Sequence, residues 1–378
     1  MALFIGLMSG TSLDGVDATL VRFGAAPDDS LQVLGHVHRP FQDELKTELL
    51  ALNTSGDDEL HRAALAGNAL ARVYADVVDD LLESTSTVRA AVCAIGAHGQ
   101  TVRHRPREFD GIGYSLQLNA PALLAELAGI DVIADFRSRD VAAGGIGAPL
   151  VPAFHRAVFG RDDATVAVLN VGGIANLTVL HADGRTIGFD CGPGNALMDH
   201  WSMLHLDRPF DTGGAWAASG HVIEPLLSAL LADPFFSMAP PKSTGRDLFN
   251  TAWLADRMGR FAGASWAAED VQATLAELTA RSASDALRQH APHARELLVC
   301  GGGALNLELM RRIGIGAPDV AIETTERAGL PPMQVEACAF AWLARAFVER
   351  RPGNLEAVTG ARGRRVLGAL YPAGTPPT

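Results

Sequence analysis

The feature that most restricts what this chain can fold into is a pattern that occurs twice: an apolar strand, a turn of glycine and small polar residues, and a second strand. The first copy is Leu3–Met8, the turn Ser9-Gly10-Thr11-Ser12, and then Val16, Ala18 and Leu20 alternating with Asp17 and Thr19. The second copy is Thr165–Leu169, Asn170-Val171-Gly172-Gly173 and Leu177–Leu180. Apolar strands flanking a glycine-rich turn predict a β-hairpin in each place, and the recurrence predicts a duplicated α/β unit. The length of 378 residues exceeds what one core usually supports, which again favours two domains.

Around the hairpins the apolar spacing turns helical. Asp58–Glu83, Pro121–Ala128, Asn195–Leu204, Ala268–Gln289, Ala304–Arg312 and Gln334–Glu349 read as helices, and Ala90–Ile95, Ile130–Ala134, Thr186–Phe189 and Glu296–Cys300 as strands. Such alternation predicts α/β sheets covered on both faces, with ligands gathered beyond the carboxyl ends of the strands. Ser9–Asp14, His98–Thr101, Asp135–Arg137, Asn170–Gly173, Asp190–Asn195 and Gly301–Gly303 fall at those ends and are expected to converge. The domain break is expected within Ala142–Pro152. It separates an N-terminal domain, 1–145, rejoined by the C-terminal residues from about 345 to 378, from a second domain, 146–344.

A net charge of −12 without any basic run argues against a nucleic-acid partner and fits an enzyme of small molecules. Cys93, Cys191, Cys300 and Cys338 show no C-x-x-C spacing, which argues against a zinc ribbon, a redox pair or a disulfide scaffold and for a reducing cytoplasm. The apolar opening Ala2–Met8 is too short for a signal-peptide core, and no apolar stretch is long enough to span a bilayer. A membrane partner is therefore not expected.

Several segments carry chemistry. Gly10-Thr11-Ser12-Leu13-Asp14-Gly15 offers unobstructed backbone N–H groups, two hydroxyls and, in Asp14, a carboxylate suited to holding Mg²⁺ through water; the same residues also make an ordinary turn. Glycines at Gly172-Gly173 and Gly301-Gly302-Gly303 add weight to the nucleotide reading, although neither G-x-x-x-x-G-K-[ST] nor a helix-opening G-x-G-x-x-G is present. Asp190, before Cys191-Gly192-Pro193-Gly194-Asn195, suits a general base in a water-poor cleft and equally a turn or helix cap. His98 reads more readily as a structural hydrogen-bonder than as a catalyst. Arg137 has the geometry to clamp a carboxylate or to pair with a neighbouring Asp, and Glu336, on an otherwise apolar helix, requires a partner or a ligand.

In combination these segments resemble the anhydro-N-acetylmuramic acid kinases, a family of the actin/hexokinase-like ATPase superfamily, nearly end to end. The matching motifs are Gly6–Asp17, His98–His104, Ala134–Arg137, Asn170–Leu177, Phe189–Asn195, Pro241–Asp247 and Cys300–Gly303. The resemblance implies two ribonuclease-H-like domains flanking a nucleotide cleft, ATP and Mg²⁺ as cofactors, an anhydrosugar substrate, and a homodimer. It also implies that the 1,6-anhydro ring is opened and the freed O6 phosphorylated in one site, with Asp190 as the base that activates water. ATP would then lie on Gly10, Thr11, Ser12, Leu13, Asp14, Gly15, Val16 and Asp17, with Asn170, Gly172, Gly173, Gly301, Gly302 and Gly303. The sugar would meet His98, Gln100, Thr101, Arg137, Gly194, Asn195 and Glu336. The chain departs from the family pattern at Cys191, a tolerable change, and at Ile146 and Leu118-Asn119-Ala120, which bear on the sugar more than on the reaction. A levoglucosan-type kinase is the alternative within this chemistry, and a non-catalytic actin-like nucleotide switch the alternative outside it.

Overall fold

The N-terminal alternation produces three antiparallel strands: β1 (Ala2–Met8), β2 (Gly15–Phe23) and β3 (Leu31–Pro40). β4 (Val92–Ala97) pairs parallel with β1 after the long helix Glu59–Ser84, and a hairpin of β5 (Gln100–Pro106) and β6 (Gly113–Leu118) follows it. β7 (Val132–Ala134), reached through the helix Pro121–Ala128, pairs parallel with β4. The sheet order is β7-β4-β1-β2-β3, with a short strand Ala369–Tyr371 antiparallel on the free edge of β7. The computed structural model describes residues 2–10, 12–24, 31–245, 248–261 and 263–374.

The second copy builds the same thing. β8 (Val166–Val171), β9 (Ile174–Leu180) and β10 (Thr186–Pro193) are antiparallel neighbours, and β11 (Glu296–Cys300) and β12 (Ala321–Thr324) continue parallel on the far side of β8. The order β10-β9-β8-β11-β12 repeats that of the first sheet strand for strand. An antiparallel trio extended by parallel strands beside its first member is the ribonuclease-H-like arrangement, so the duplication seen in the sequence is a duplication of fold.

The chain divides into two compact units, Met1–Val158 with Gln334–Thr378, and Phe159–Met333. The sequence reading set the break at 145/146 and the return at about 345. In the structure the helix Val151–Phe159 ends at the first division and the whole helix Val335–Val348 goes with the first unit.

In the first unit, Ile5 and Leu7 point into a core shared with Leu70, Tyr74 and Val78 of the helix Glu59–Ser84. The opposite face of β1 and β4 is covered by Val335–Val348. Alternation puts Gly6 on that face, where a Cβ would stand 1.8 Å from the Ala337 carbonyl oxygen; one on Gly96 of β4 would stand 2.1 Å from that of Phe340. The helix backbone therefore rests directly on the strands. In the second unit the helix Ala268–His290 packs on β9 and β10 and buries Val271, Leu275, Leu278 and Leu287.

The structure adds β3, β12 and the β5–β6 hairpin to the expected elements. It also splits the expected helix Ala304–Arg312 into a 3₁₀ turn, Gly302–Leu305, and the helix Leu307–Gly316. Asn306 causes the split, because its side chain caps the new helix by accepting from Leu309 N at 2.9 Å. Among the described residues no helix is long and apolar enough to cross a membrane.

Gly6→Ala is expected to cost about 3 kcal/mol, since the obstruction is backbone that cannot rotate away. A clearly lowered thermal midpoint by circular dichroism is the expected reading, and an unchanged midpoint would show that the helix does not sit on the strand as described.

Candidate active site

In the first unit the carboxyl ends of the adjacent parallel strands β1, β4 and β7 carry Ser9, His98 and Asp135 onward. The turn after β1 closes with Leu13 N donating to Gly10 O at 3.2 Å, and Leu13 takes a left-handed φ of 57° that places its side chain in the core. Ser12 Oγ donates to Asp14 Oδ1 at 2.8 Å, and both residues are exposed. A Cβ on Gly10 would meet nothing closer than 3.5 Å, whereas one on Gly15 would stand 2.3 Å from Arg39 O of β3. Gly10 thus leaves the turn open, and Gly15 serves strand pairing. Val16 is fully buried. Asp17 accepts from His36 Nε2 at 2.9 Å and His38 Nδ1 at 3.2 Å; burial opposes its ionisation, but these hydrogen bonds prevail and hold it below the usual carboxylate range. Thr11 lies outside the described residues.

The strand-end groups join in one hydrogen-bond chain. His98 Nδ1 lies 3.3 Å from Ser9 O, and its Nε2 faces Arg137 Nη2 at 2.9 Å and Nε at 3.3 Å. A carbonyl on one side and a guanidinium on the other fix the neutral tautomer with the proton on Nδ1. Burial, and then the Arg137 charge, push the His98 pKa down to about 3. His98 is therefore a neutral acceptor, its ring tilted against that of Phe340 with the centroids 4.6 Å apart. Arg137 donates through Nη1 to Gly147 O at 2.7 Å and forms no ion pair with Asp135 or Asp140. Gln100 Nε2 donates to Gly10 O at 3.0 Å, while its buried Oε1 has no partner among the described residues. Thr101 Oγ1 accepts from Gln117 Nε2 at 3.2 Å.

Glu336 sits in the first turn of the helix Val335–Val348 and makes no hydrogen bond or ion pair with a described residue. Desolvation pushes its pKa up to about 7; Arg137 opposes that shift, and the negative charges of Asp17 and Asp14 add to it. The need for a partner or a ligand, inferred from its apolar helix, stands.

In the second unit Asn170, Gly172, Gly173, Gly194, Asn195 and Gly301–Gly303 come together at the ends of β8, β10 and β11. Asn195 N donates to Gly172 O at 2.8 Å, Gly194 N to Gly173 O at 3.0 Å, and Asn195 Nδ2 to Val171 O at 3.0 Å. The glycines are of two kinds. A Cβ on Gly301, Gly303 or Gly194 would stand 2.5 Å from Asn170 Oδ1, 2.3 Å from Val171 Cγ1 or 2.3 Å from Gly172 O, and the φ of Gly301 is 76°. Close packing requires those three. Gly172 and Gly173 meet nothing closer than 3.7 Å and Gly302 nothing closer than 3.5 Å, so they form an open floor of bare backbone.

Asp190 lies inside β10, not beyond its end, because the pairing with β9 continues past it through a bulge at Cys191. Its carboxylate caps neither the turn nor the helix Ala196–Leu206. Oδ2 accepts from Ser243 Oγ and Thr244 N, both at 2.9 Å, and among the described residues Oδ1 has no donor. The backbone N donates to Lys242 O at 3.2 Å, and Lys242 Nζ is anchored on Phe235 O at 3.1 Å. Burial pushes the Asp190 pKa up to about 6, against the hydrogen bonds from Thr244 and Ser243 and the charge of Lys242. The sequence reading gave Ser243 and Thr244 no role, because a Ser-Thr pair in a loop carries no signal of its own. Arg246 and Asp247 of the same motif lie outside the described residues.

Residues 2–373 match the family model described as "Anhydro-N-acetylmuramic acid kinase". The anhydro-N-acetylmuramic acid kinase of Variovorax paradoxus (strain S110) is 61% identical over 377 residues, covering 98% of this chain and 99% of that protein. Those of Cupriavidus pinatubonensis and Bordetella pertussis are 58% and 55% identical, each covering 98% of this chain and 98% and 96% of their own lengths.

A raised carboxylate pKa costs stability. The cost is complete above the folded value of about 6 and absent below the unfolded value of 3.8. Asp190→Asn, whose amide oxygen keeps the Ser243 and Thr244 bonds, is expected to be more stable than the parent at pH 7.5 by about 2 kcal/mol. The gain should shrink as pH falls to 4.5. Thermal midpoints at the two pH values measure it, and a pH-independent difference would mean that Asp190 is not desolvated.

Proposed function

Because the chain belongs to the anhydro-N-acetylmuramic acid kinase family, we propose that it uses ATP to open the ring of 1,6-anhydro-N-acetylmuramic acid and to phosphorylate O6, giving N-acetylmuramic acid 6-phosphate and ADP. The observation that carries the reading is Asp190, a buried carboxylate with one oxygen held by two donors, the other without a donor among the described residues, and a pKa raised to about 6. A base is most effective when its pKa lies close to the working pH.

In this reading Asp190 Oδ1 takes a proton from water as the water oxygen bonds to C1. The C1–O6 bond breaks, and O6 bonds to the γ-phosphorus as the bond to the β-phosphate oxygen breaks. The proton remains on Asp190 until it is returned to solvent. Phosphoryl transfer depends mainly on positioning and on charge stabilisation. The open backbone at Gly10 and at Gly172, Gly173 and Gly302 supplies surfaces that phosphate and ribose can approach closely. Asp14, exposed and joined to Ser12, fits Mg²⁺ held through water, since Mg²⁺ in kinases takes one or two carboxylates besides the phosphates. When bound, the ion neutralises charge on the transferring group. Among the described residues no cluster of three His, Cys, Asp or Glu could hold a metal.

Arg137 and Glu336 are assigned to the sugar. Arg137 retains part of its donor fork beyond the bonds to His98 and Gly147, and burial lowers its pKa to about 10, which leaves it charged. It is read as the contact for the lactyl carboxylate. A levoglucosan-type kinase and a nucleotide switch are not favoured by the family to which the chain belongs.

ADP release with Mg·ATP and 1,6-anhydro-N-acetylmuramic acid tests the reading. Activity should rise with pH through about 6, as Asp190 ionises, and Asp190→Asn should lose a factor of about 10² to 10⁴. Full activity in that variant, or no stimulation by any anhydrosugar, would sink it. Arg137→Ala should weaken binding of the lactyl-bearing sugar about a hundredfold and leave 1,6-anhydro-N-acetylglucosamine, which lacks the lactyl group, nearly unaffected. Equal losses for both would remove the clamp.

A further inference from the structure

Asp140 belongs to none of the motifs above, yet it is completely buried. It has no ion-pair partner among the described residues and is satisfied by hydrogen bonds instead. Oδ1 accepts from Asn354 Nδ2 at 2.7 Å and Thr359 Oγ1 at 2.8 Å, and Oδ2 accepts from Gly147 N at 2.8 Å. Room for the carboxylate is made by Gly145, whose Cβ would lie 2.1 Å from Oδ2. The peptide that Asp140 holds is the one that matters: Gly147 O accepts from Arg137 Nη1 at 2.7 Å. A continuous line of bonds thus runs from the C-terminal segment through Asp140 and Gly147 to Arg137, then to His98 and Ser9 O. Two backbone bonds, Ile146 N to Thr359 O at 2.9 Å and Arg362 N to Ala143 O at 2.8 Å, bind the same loop to the same segment.

We propose that Asp140 is a positioning residue for sugar selection: it fixes the Gly147 peptide, which aims the Arg137 guanidinium, and so makes the segment around Asn354 and Thr359 part of the specificity apparatus. The proposal rests on the reading of Arg137 as the lactyl contact. Only a carboxylate can accept from all three donors. An asparagine at 140 must turn an NH₂ group toward at least one N–H or O–H, and a buried donor facing a donor forces the loop to shift.

Dissociation constants for 1,6-anhydro-N-acetylmuramic acid and 1,6-anhydro-N-acetylglucosamine, measured by titration calorimetry on Arg137→Ala, Asp140→Asn, the double variant and Thr359→Val, test it. Asp140→Asn should weaken the lactyl-bearing sugar about tenfold and change the lactyl-free sugar less than about twofold. The double variant should bind no worse than Arg137→Ala alone, because Asp140 acts only through the guanidinium. Thr359→Val, which removes one donor and keeps the carboxylate, should shift the ratio of the two constants in the same direction by a lesser factor. Equal weakening of both sugars, or additive losses in the double variant, overturns the proposal. Should Asp140→Asn fail to fold, Thr359→Val decides alone, and an unchanged ratio there is fatal. If Arg137→Ala keeps the preference for the lactyl sugar, the clamp reading fails and takes Asp140 with it. If Arg137→Ala loses that preference while Asp140→Asn keeps it, only the positioning role fails.

Discussion

Backbone contact between the helix Val335–Val348 and the strands β1 and β4 sets where the charged groups of the first unit can be. With glycine at positions 6 and 96 the helix lies against the strands without intervening side chains. That seating puts Phe340 against His98 and Phe136 and starts the helix so that Glu336 feels Arg137, Asp14 and Asp17. Held neutral, His98 can offer its Nε2 lone pair to Arg137 and nothing else. A larger residue in either strand would lift the helix and separate the acid from the guanidinium. The electrostatics of this polar cluster in the first unit therefore follow from the absence of two side chains.

The second unit handles its key carboxylate differently. Asp190 is placed by a strand bulge and fixed by a loop, with Ser243 and Thr244 holding one oxygen. Donors on a single oxygen orient the group without fully cancelling the desolvation that raises its pKa. A bidentate arginine would have oriented it as well but would have lowered the pKa below the useful range. Lys242, anchored on main-chain carbonyls, supplies a positive charge that moderates the shift without forming an ion pair with Asp190.

Much of this was legible in the residues. The two hairpins, the helices Glu59–Ser84 and Pro121–Ala128, and the strand ends that carry polar residues follow from apolar period and glycine placement, and the repeated pattern foretold the repeated sheet. The rest was hidden for physical reasons. Strand β3 is half-buried along most of its length and so lacks clean alternation. Asn306 moved a helix start through a cap that competes with the glycines before it. In the site, residue types announced Asp190, Arg137 and Glu336, but the partners of Asp190 are a loop hydroxyl and a backbone N–H more than fifty residues away, and those of Arg137 are a histidine ring and a loop carbonyl. No local pattern links Asp140 to Thr359 or Asp190 to Thr244. The glycines show the same limit, since Gly301 and Gly302 are neighbours in sequence while one is required by packing and the other leaves open space.

The first unit is assembled from two separated stretches of chain, and the second from one continuous stretch, 159–333. During synthesis the continuous unit can complete its core as soon as its own residues emerge. The earlier-made strands β1 and β4 must wait, with one face bare, until the helix that begins at Val335 has been translated, and exposed apolar strand surface is the state most prone to association. The order of completion thus inverts the order of sequence, and the stretch from Gln334 onward acts as the closing piece of the first unit.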